Sequence, residues 1–388
     1  MTRVLIAPDK FKGSMTAAQV GAAVAAGVRQ VLPHASVTVV PVADGGDGTV
    51  AAALAAGFEA IPVTATGPTG EPVDTTYARR DDLAVVELAD VSGLLRLPGG
   101  TFAPMSATSR GTGEVIAAAI DAGCRRVVLG IGGSAGTDGG AGLVRALGAR
   151  LLDAEGIEIG DGGAALAEVA TIDLTALHKR LPDVEITIAC DVDNPLTGPR
   201  GAAAVYGPQK GADDSQIAAL DGALAHWADI VTATTGTDHR QTAGAGAAGG
   251  VGFAAVAILD ATLAPGIELI LNLADFANHL TNTDLVITGE GTLDEQTLHG
   301  KTPAGVATAA LAEGVPVIAV CGRNTLPETR LQSAGFTAAY SLLAIEPDIN
   351  RCLTEGEELL KHLGAHIAKH HLTQTTTAPN PALNHATH

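Results

Sequence analysis

The first and last thirds of the chain are written in one grammar, and that constrains the fold more than any single motif. RVLIAPD (3–9) predicts a strand, 16–32 a helix capped at Ser14 or Thr16, SVTVVPV (36–42) a second strand and 46–56 a second helix. After residue 283 the pattern returns: DLVITGEG, a helix over 303–313, VPVIAVCG, a helix from 327, and FTAAYSLL. Strands and helices in strict alternation bury their apolar faces as a parallel, doubly wound α/β sheet. The middle differs. TGPTGEPVDTTYARRDDLAVVEL (66–88) carries closely spaced turn signals between short β-rich runs, as antiparallel hairpins do. The expectation is two α/β domains: a discontinuous Rossmann-like or flavodoxin-like domain (1–65 plus 283–370) and an inserted mixed α/β domain (66–282). The Thr/Pro/Asn/His-rich end, 371–388, reads as a disordered tail.

Composition fits this layout. A chain of 388 residues exceeds one typical core. Apolar residues reach 46% while aromatics supply only 3%, so the core must be built from Ala, Val, Leu and Ile, as in layered α/β proteins. A net charge of −19 repels polyanions, which argues against nucleic acid or an anionic membrane surface as partner. Any anionic ligand then needs a local cationic pocket. The N-terminal apolar run stops at Asp9, too short for a signal peptide, and no stretch of about 20 apolar residues suits a membrane span. Cys124, Cys190, Cys321 and Cys352 show no CxxC spacing and read as buried small hydrophobes of a cytoplasmic protein.

Polar residues concentrate where the apolar runs end, and α/β sheets bind ligands at the carboxyl ends of their strands. Five stretches share this placement: APDKFKGS (7–14), ADGGDGT (43–49), GIGGSAGTDGG (130–140), ACDVDNPLTG (189–198) and TGEGTLDEQTLHGKT (288–302). Together they point to one composite site. Asp9, Lys10, Lys12 and Ser14 form either an anion-receiving loop or a solvated turn with Ser14 as helix cap. Asp44 could coordinate a metal or hold a substrate hydroxyl, or else Asp44 or Asp47 caps the following helix. The glycines of 130–140, between an apolar run and an Ala/Leu-rich segment, offer backbone N–H groups to a phosphate or carboxylate at a helix N-terminus. Asp191 and Asp193 follow ITIAC, where a carboxylate can deprotonate a hydroxyl, carry Mg²⁺ or close an Asx-turn. Lys210, among glycines in VYGPQKGA, is a phosphate-facing ammonium or a solvated lysine.

Two tempting patterns need weighing. GKT (300–302) invites comparison with a P-loop, yet the first glycine of that motif would fall on Glu295, so the reading fails. Glu290, Asp294 and Glu295 suit a metal or a ribose better than a phosphate. Gly130, Gly132 and Ala135 match a dinucleotide fingerprint, with Asp153 at the distance of a ribose-binding acid, which keeps an NAD-dependent oxidoreductase of a small hydroxy acid open. A non-catalytic sensor of a small acid is a third class. His362, His366 and His370, four residues apart, read as a solvated helix face rather than a zinc site.

Taken in order, APDKFKGS, ADGGDGT, GIGGSAGTDGG with GLVRALGA, CDVDNPLTG with VYGPQKGA, GAGAAGG and DLVITGEGTLDEQTLHGKTPAGVA resemble the bacterial type-I glycerate kinases from residue 3 to 322, and more weakly to 370. The resemblance implies ATP-dependent phosphorylation of D-glycerate with Mg²⁺ on two α/β domains, the product usually being 2-phosphoglycerate; a kinase forming the 3-phosphate or acting on a related acid is the neighbouring alternative. Under it, Asp191 takes the proton of the attacked hydroxyl, Asp44 orients substrate or metal, and Lys12 with the 132–134 amides holds anions. Asp9, Ser14, Arg110 and Ser134 would contact substrate. Gly132, Gly133, Lys210, Gly289, Glu290, Gly291 and Lys301 would lie at phosphate or nucleotide, and Asp191 and Asp294 at the metal. The chain departs from the family pattern at Lys10 (commonly Ser), Asp47 (Glu), Arg110 (an aromatic) and Gly136-Thr137 (Thr-Asn).

Overall fold

Strand β1 (Arg3–Pro8) sits near the middle of a five-stranded sheet, flanked by β2 (Ser36–Val39) and by β11 (Leu285–Leu293), with β12 (Val317–Asn324) and β13 (Phe336–Ser341) beyond. Strands are numbered along the whole chain, of which the computed structural model describes residues 1–299 and 301–373. Every pairing in this sheet is parallel. The order 13-12-11-1-2 is the flavodoxin-type arrangement, and its direction reverses between β1 and β11.

Helix Ala17–Val31 begins at Thr16, whose side chain accepts from the Gln19 backbone N–H in a full capping box. Of the two caps the sequence offered, Thr16 is therefore the one used. The helix packs on Gly356–Ile367 at close range, because a Cβ on Gly27 would collide with the Lys361 carbonyl and one on Gly364 with the Val24 carbonyl. Val4, Ile6, Val20, Val24, Ile287 and Ile318 form the core beneath. The last helical turn, Ala368–Leu372, buries Leu372 and brings the His371 Nε2 to 2.8 Å from the Tyr340 hydroxyl. Residues 371 and 372, expected in the tail, thus belong to this helical turn, and 374–388 lie outside the described residues.

The second sheet has six strands in simple sequence order: β3 (Glu59–Thr66), β4 (Pro72–Arg80), β5 (Leu83–Glu87), β6 (Arg126–Gly130), β9 (Glu185–Ala189) and β10 (Thr262–Ala264). β3, β4 and β5 pair antiparallel, as the turn signals of 66–88 predict, and β5, β6, β9 and β10 pair parallel. A separate antiparallel pair joins β7 (Arg150–Leu152) and β8 (Thr171–Asp173). The core is the expected aliphatic one, built around Val86, Ile116, Leu129 and Ile188, with Trp227 fully buried and its indole N–H donating to the Gly139 carbonyl at 3.1 Å.

The chain divides into Met1–Pro41 with the segment from Phe276 onward, and Val42–Asp275. The first boundary falls earlier than 65/66 and the second earlier than 282/283. Helix Thr49–Ala55 packs on β4, β5 and helix Gly266–Leu273, and β3 pairs with β4 over its whole length, so residues 42–65 belong with the middle of the chain. The SVTVVPV strand also stops at Val39. No helix among the described residues is long and apolar enough to cross a membrane.

Candidate active site

In the unit Val42–Asp275, Glu87, Gly130, Ala189 and Ala264 stand side by side as lateral partners at the carboxyl ends of their strands. Two of the five polar stretches, 130–140 and 189–198, leave the sheet here, and together with residues of 43–49 they line one cavity of about 220 Å³ that includes Asp44, Gly132, Ser134, Asp191 and Lys210. Glycine is needed for the loops to come this close. Gly45 has φ +85°, and a Cβ on it would meet Gly266 Cα at 2.8 Å; one on Gly132 would meet Gly46 Cα at 2.6 Å.

Asp44 and Asp191 both face the cavity, each with one oxygen committed. Asp44 Oδ1 accepts from the Gly46 N–H at 3.1 Å, and Asp191 Oδ1 from the Gly266 N–H at 2.8 Å. Burial, with the nearby Asp44 charge adding to it, pushes the Asp191 carboxyl up to about 6, against the pull of the Gly266 bond. Such a group is ionised at neutral pH and still basic enough to accept a proton.

Lys210 is buried, not solvated. Its ammonium donates to Ser134 Oγ at 2.8 Å and to the Gly136 carbonyl, and burial lowers it to about 7 although the Asp138 charge opposes that shift. Asp138, not singled out by any local pattern, organises the glycine loop. Its Oδ2 accepts from the Ser109 N–H and hydroxyl, both at 2.8 Å, and from Gly142 N–H at 3.2 Å, while Oδ1 accepts from Gly140 N–H at 3.1 Å. The helix after the loop, Ala141–Ala146, is therefore capped by the protein's own carboxylate. That corrects the expectation that its N-terminus collects an external anion. Gly132, Gly133 and Ser134 precede that helix by a turn-rich loop and line the cavity.

The unit containing Met1–Pro41 has its own polar cluster, at the reversal point between β1 and β11. Pro8 pairs with Gly289 there, and Asp9 N–H donates to the Gly289 carbonyl at 2.8 Å. Asp9 Oδ2 accepts from the Thr302 hydroxyl at 3.0 Å, and Glu290 accepts from the Thr297 hydroxyl. Burial raises Glu290 to about 7; the Thr297 bond and the Lys301 charge pull it down, while the Asp9 and Asp294 charges push it up. Gly291 packs beside Phe11 and Lys12, whose side chain is exposed. Ser14 turns back to the Phe11 carbonyl at 3.2 Å. Asp294 Oδ1 closes its own turn on the Gln296 and Thr297 N–H groups, and no group of three His, Cys, Asp or Glu is placed to hold a metal among the described residues.

The glycerate kinase family pattern matches residues 4–372. The chain is 44% identical to a glycerate kinase of Bacillus subtilis (strain 168) over 369 residues, covering 94% of this chain and 97% of the relative. The chain belongs to the glycerate kinase family. It is also 44% identical to the glycerate 2-kinase of Escherichia coli (strain K12) over 88% of this chain and 90% of that one. A crystal structure from Salmonella typhimurium LT2, described as a glycerate kinase 2, superposes with TM-score 0.83 at 41% identity, covering 95% and 97% of the two chains. The protein is accordingly a kinase on a two-unit α/β fold.

This glycerate kinase fold removes the basis of the dinucleotide fingerprint. In a Rossmann unit the helix starts within the glycine motif and the acid ends the next parallel strand. Here the helix begins only at Ala141, β7 lies outside the main sheet, and Asp153 Oδ1 binds the Glu155 and Ile157 N–H groups of its own turn. Arg110 does not line the cavity either: its Nε pairs with Asp161 Oδ2 at 3.5 Å. Asp193 forms an exposed pair with Arg200 at 2.9 Å. Glu87, unmarked in the sequence reading, is buried at the end of β5 and accepts from the Gly48 N–H at 2.9 Å and the Val50 N–H at 3.0 Å.

Proposed function

We propose that the chain transfers the γ-phosphoryl group of ATP to the 2-hydroxyl of D-glycerate, releasing ADP and 2-phospho-D-glycerate. The observation that carries this reading is Asp191: a carboxyl anchored through one oxygen, raised to about 6, on a small cavity that Gly132, Gly133, Ser134 and the buried Lys210 also line. Phosphoryl transfer asks the protein for positioning and charge rather than covalent chemistry. In this reading Asp191 takes the hydroxyl proton as the oxygen attacks phosphorus. The Gly132, Gly133 and Ser134 loop, with Lys210 behind it, receives negative charge.

The donor set suits Mg²⁺, which takes one or two carboxylates and fills its remaining positions with water and substrate phosphates. Asp44, beside Asp191 on the same cavity, is the residue we assign to hold it. Held there, the ion would supply positive charge against the negative charge that develops on the transferred phosphoryl group. The β1/β11 reversal point, with Asp9, Gly289, Glu290, Gly291 and Lys301, is assigned to the nucleotide, since ligands of doubly wound sheets sit at such points.

The reading is tested by ADP release from Mg-ATP with D-glycerate, L-glycerate or no acceptor. D-glycerate-dependent release is expected. Equal release without acceptor would contradict it.

A further inference from the structure

We propose that Glu87 is a positioning residue for the phosphoryl-transfer site: its carboxylate fastens the turn that carries Asp44, and through that turn sets where D-glycerate binds. The inference rests on the function proposed above for the cavity, and it concerns a residue that does not itself line the cavity.

The turn from Asp44 to Val50 is a chain of short bonds. Asp44 Oδ1 accepts from Gly46 N–H, the Gly46 carbonyl accepts from the Thr49 hydroxyl at 2.7 Å, and Gly48 then turns through φ +95° into helix Thr49–Ala55. That helix has no capping side chain of its own. Glu87 supplies the cap from another strand, one oxygen on Gly48 N–H and the other on Val50 N–H. Because Glu87 ends β5 and is a register partner of Gly130, both oxygens are fixed relative to the sheet that also carries the 130–134 loop. The other side of the turn is pressed against that loop, Gly46 on Gly132 and Gly45 with Thr49 on Gly130. A carboxylate buried here, near Asp47 and Asp90, is a costly choice for a mere space-filler, and only a two-oxygen acceptor satisfies both N–H groups.

The experiment compares the full chain with Glu87→Gln and Glu87→Asp. For Glu87→Gln, the KM for D-glycerate should rise about tenfold or more and kcat should fall, as expected when one bond to a charged acceptor is lost. The KM for ATP should change less than that for D-glycerate, because the residues assigned to the nucleotide are untouched by the substitution. Placed in an Asp44→Ala background, the same change should add little, because both act through one turn. Glu87→Asp, which keeps the charge, should recover part of the loss. Hydrogen exchange supplies a readout independent of turnover: amides of residues 46–50 should exchange faster in Glu87→Gln, with those of β5 and β6 unchanged. Unaltered exchange over 46–50, or a drop in specific activity with both KM values unchanged, would overturn the proposal. If wild type showed no glycerate-dependent turnover, the proposed function would fail and exchange alone would judge the fastening role.

Discussion

The Lys210 ammonium lies 2.8 Å from Ser134 Oγ with its stem buried, so a cationic group that burial lowers to about 7 has been drawn beside the glycine loop of a chain whose net charge is −19. Burial of this kind makes the lysine responsive to whatever anion occupies the cavity above it.

Lys210→Met keeps the volume and removes the charge. Turnover should fall by about 100-fold, the usual scale for losing one preorganised donor to developing negative charge. Stability should move in the variant's favour as pH falls. The folded lysine titrates near 7 and the unfolded one near 10.5, so wild type loses stability as pH drops through that window and the methionine variant does not. Thermal melts of both proteins at pH 6 and pH 10 check the sign.

Asp191→Asn should lower kcat by about 10²–10⁴-fold, the range of general-base catalysis, with little change in ATP affinity. In the metal-free protein, carboxyl NMR should place Asp191 near 6, and Asp44→Asn should lower that value by removing a neighbouring like charge. An unmoved titration would separate the two carboxylates electrostatically.

Glu290 predicts a pH dependence of stability. Its folded carboxyl titrates near 7 and the unfolded one near 4.5, so the folded protein holds the extra proton in between. Its contribution is most favourable below pH 4.5 and is lost as pH rises through 7, by at most on the order of 3 kcal/mol. Glu290→Gln should flatten this slope, as measured by denaturant melts at pH 5 and pH 8.

Arg110→Phe tests a departure from the family pattern. Since Arg110 pairs with Asp161 outside the cavity, the KM for D-glycerate should change by less than about twofold, in keeping with a surface pair. A large rise would bring Arg110 back to the substrate.

Much of this architecture is legible in the sequence because local signals and packing agree. RVLIAP runs into Asp9 and LVITGEG carries Glu290 in its second half, and the strand-ligand rule points to both. The GPTG and RRDD turns announce the antiparallel run that becomes β3, β4 and β5. What was missed depends on contacts distant in sequence. The start of the second unit at Val42 follows from where helix Thr49–Ala55 packs, which no local pattern states. For Lys210 the sequence leaves a phosphate-facing ammonium and a solvated lysine both open, and only the fold puts it beside Ser134. Arg110 gives no hint of Asp161, 51 positions along. Glu87 was within reach: an acid closing the buried run LAVVE has the same placement as the acid after ITIAC, and it carries the same kind of signal.

The most direct test of the account is product identity. Purified protein with Mg-ATP and D-glycerate, coupled to enolase, should give phosphoenolpyruvate in step with ADP, because enolase accepts the 2-phosphate. ADP release without phosphoenolpyruvate, the 3-phosphate appearing instead, would contradict transfer to the 2-hydroxyl; no acceptor-dependent ADP would contradict the kinase mechanism built on Asp191.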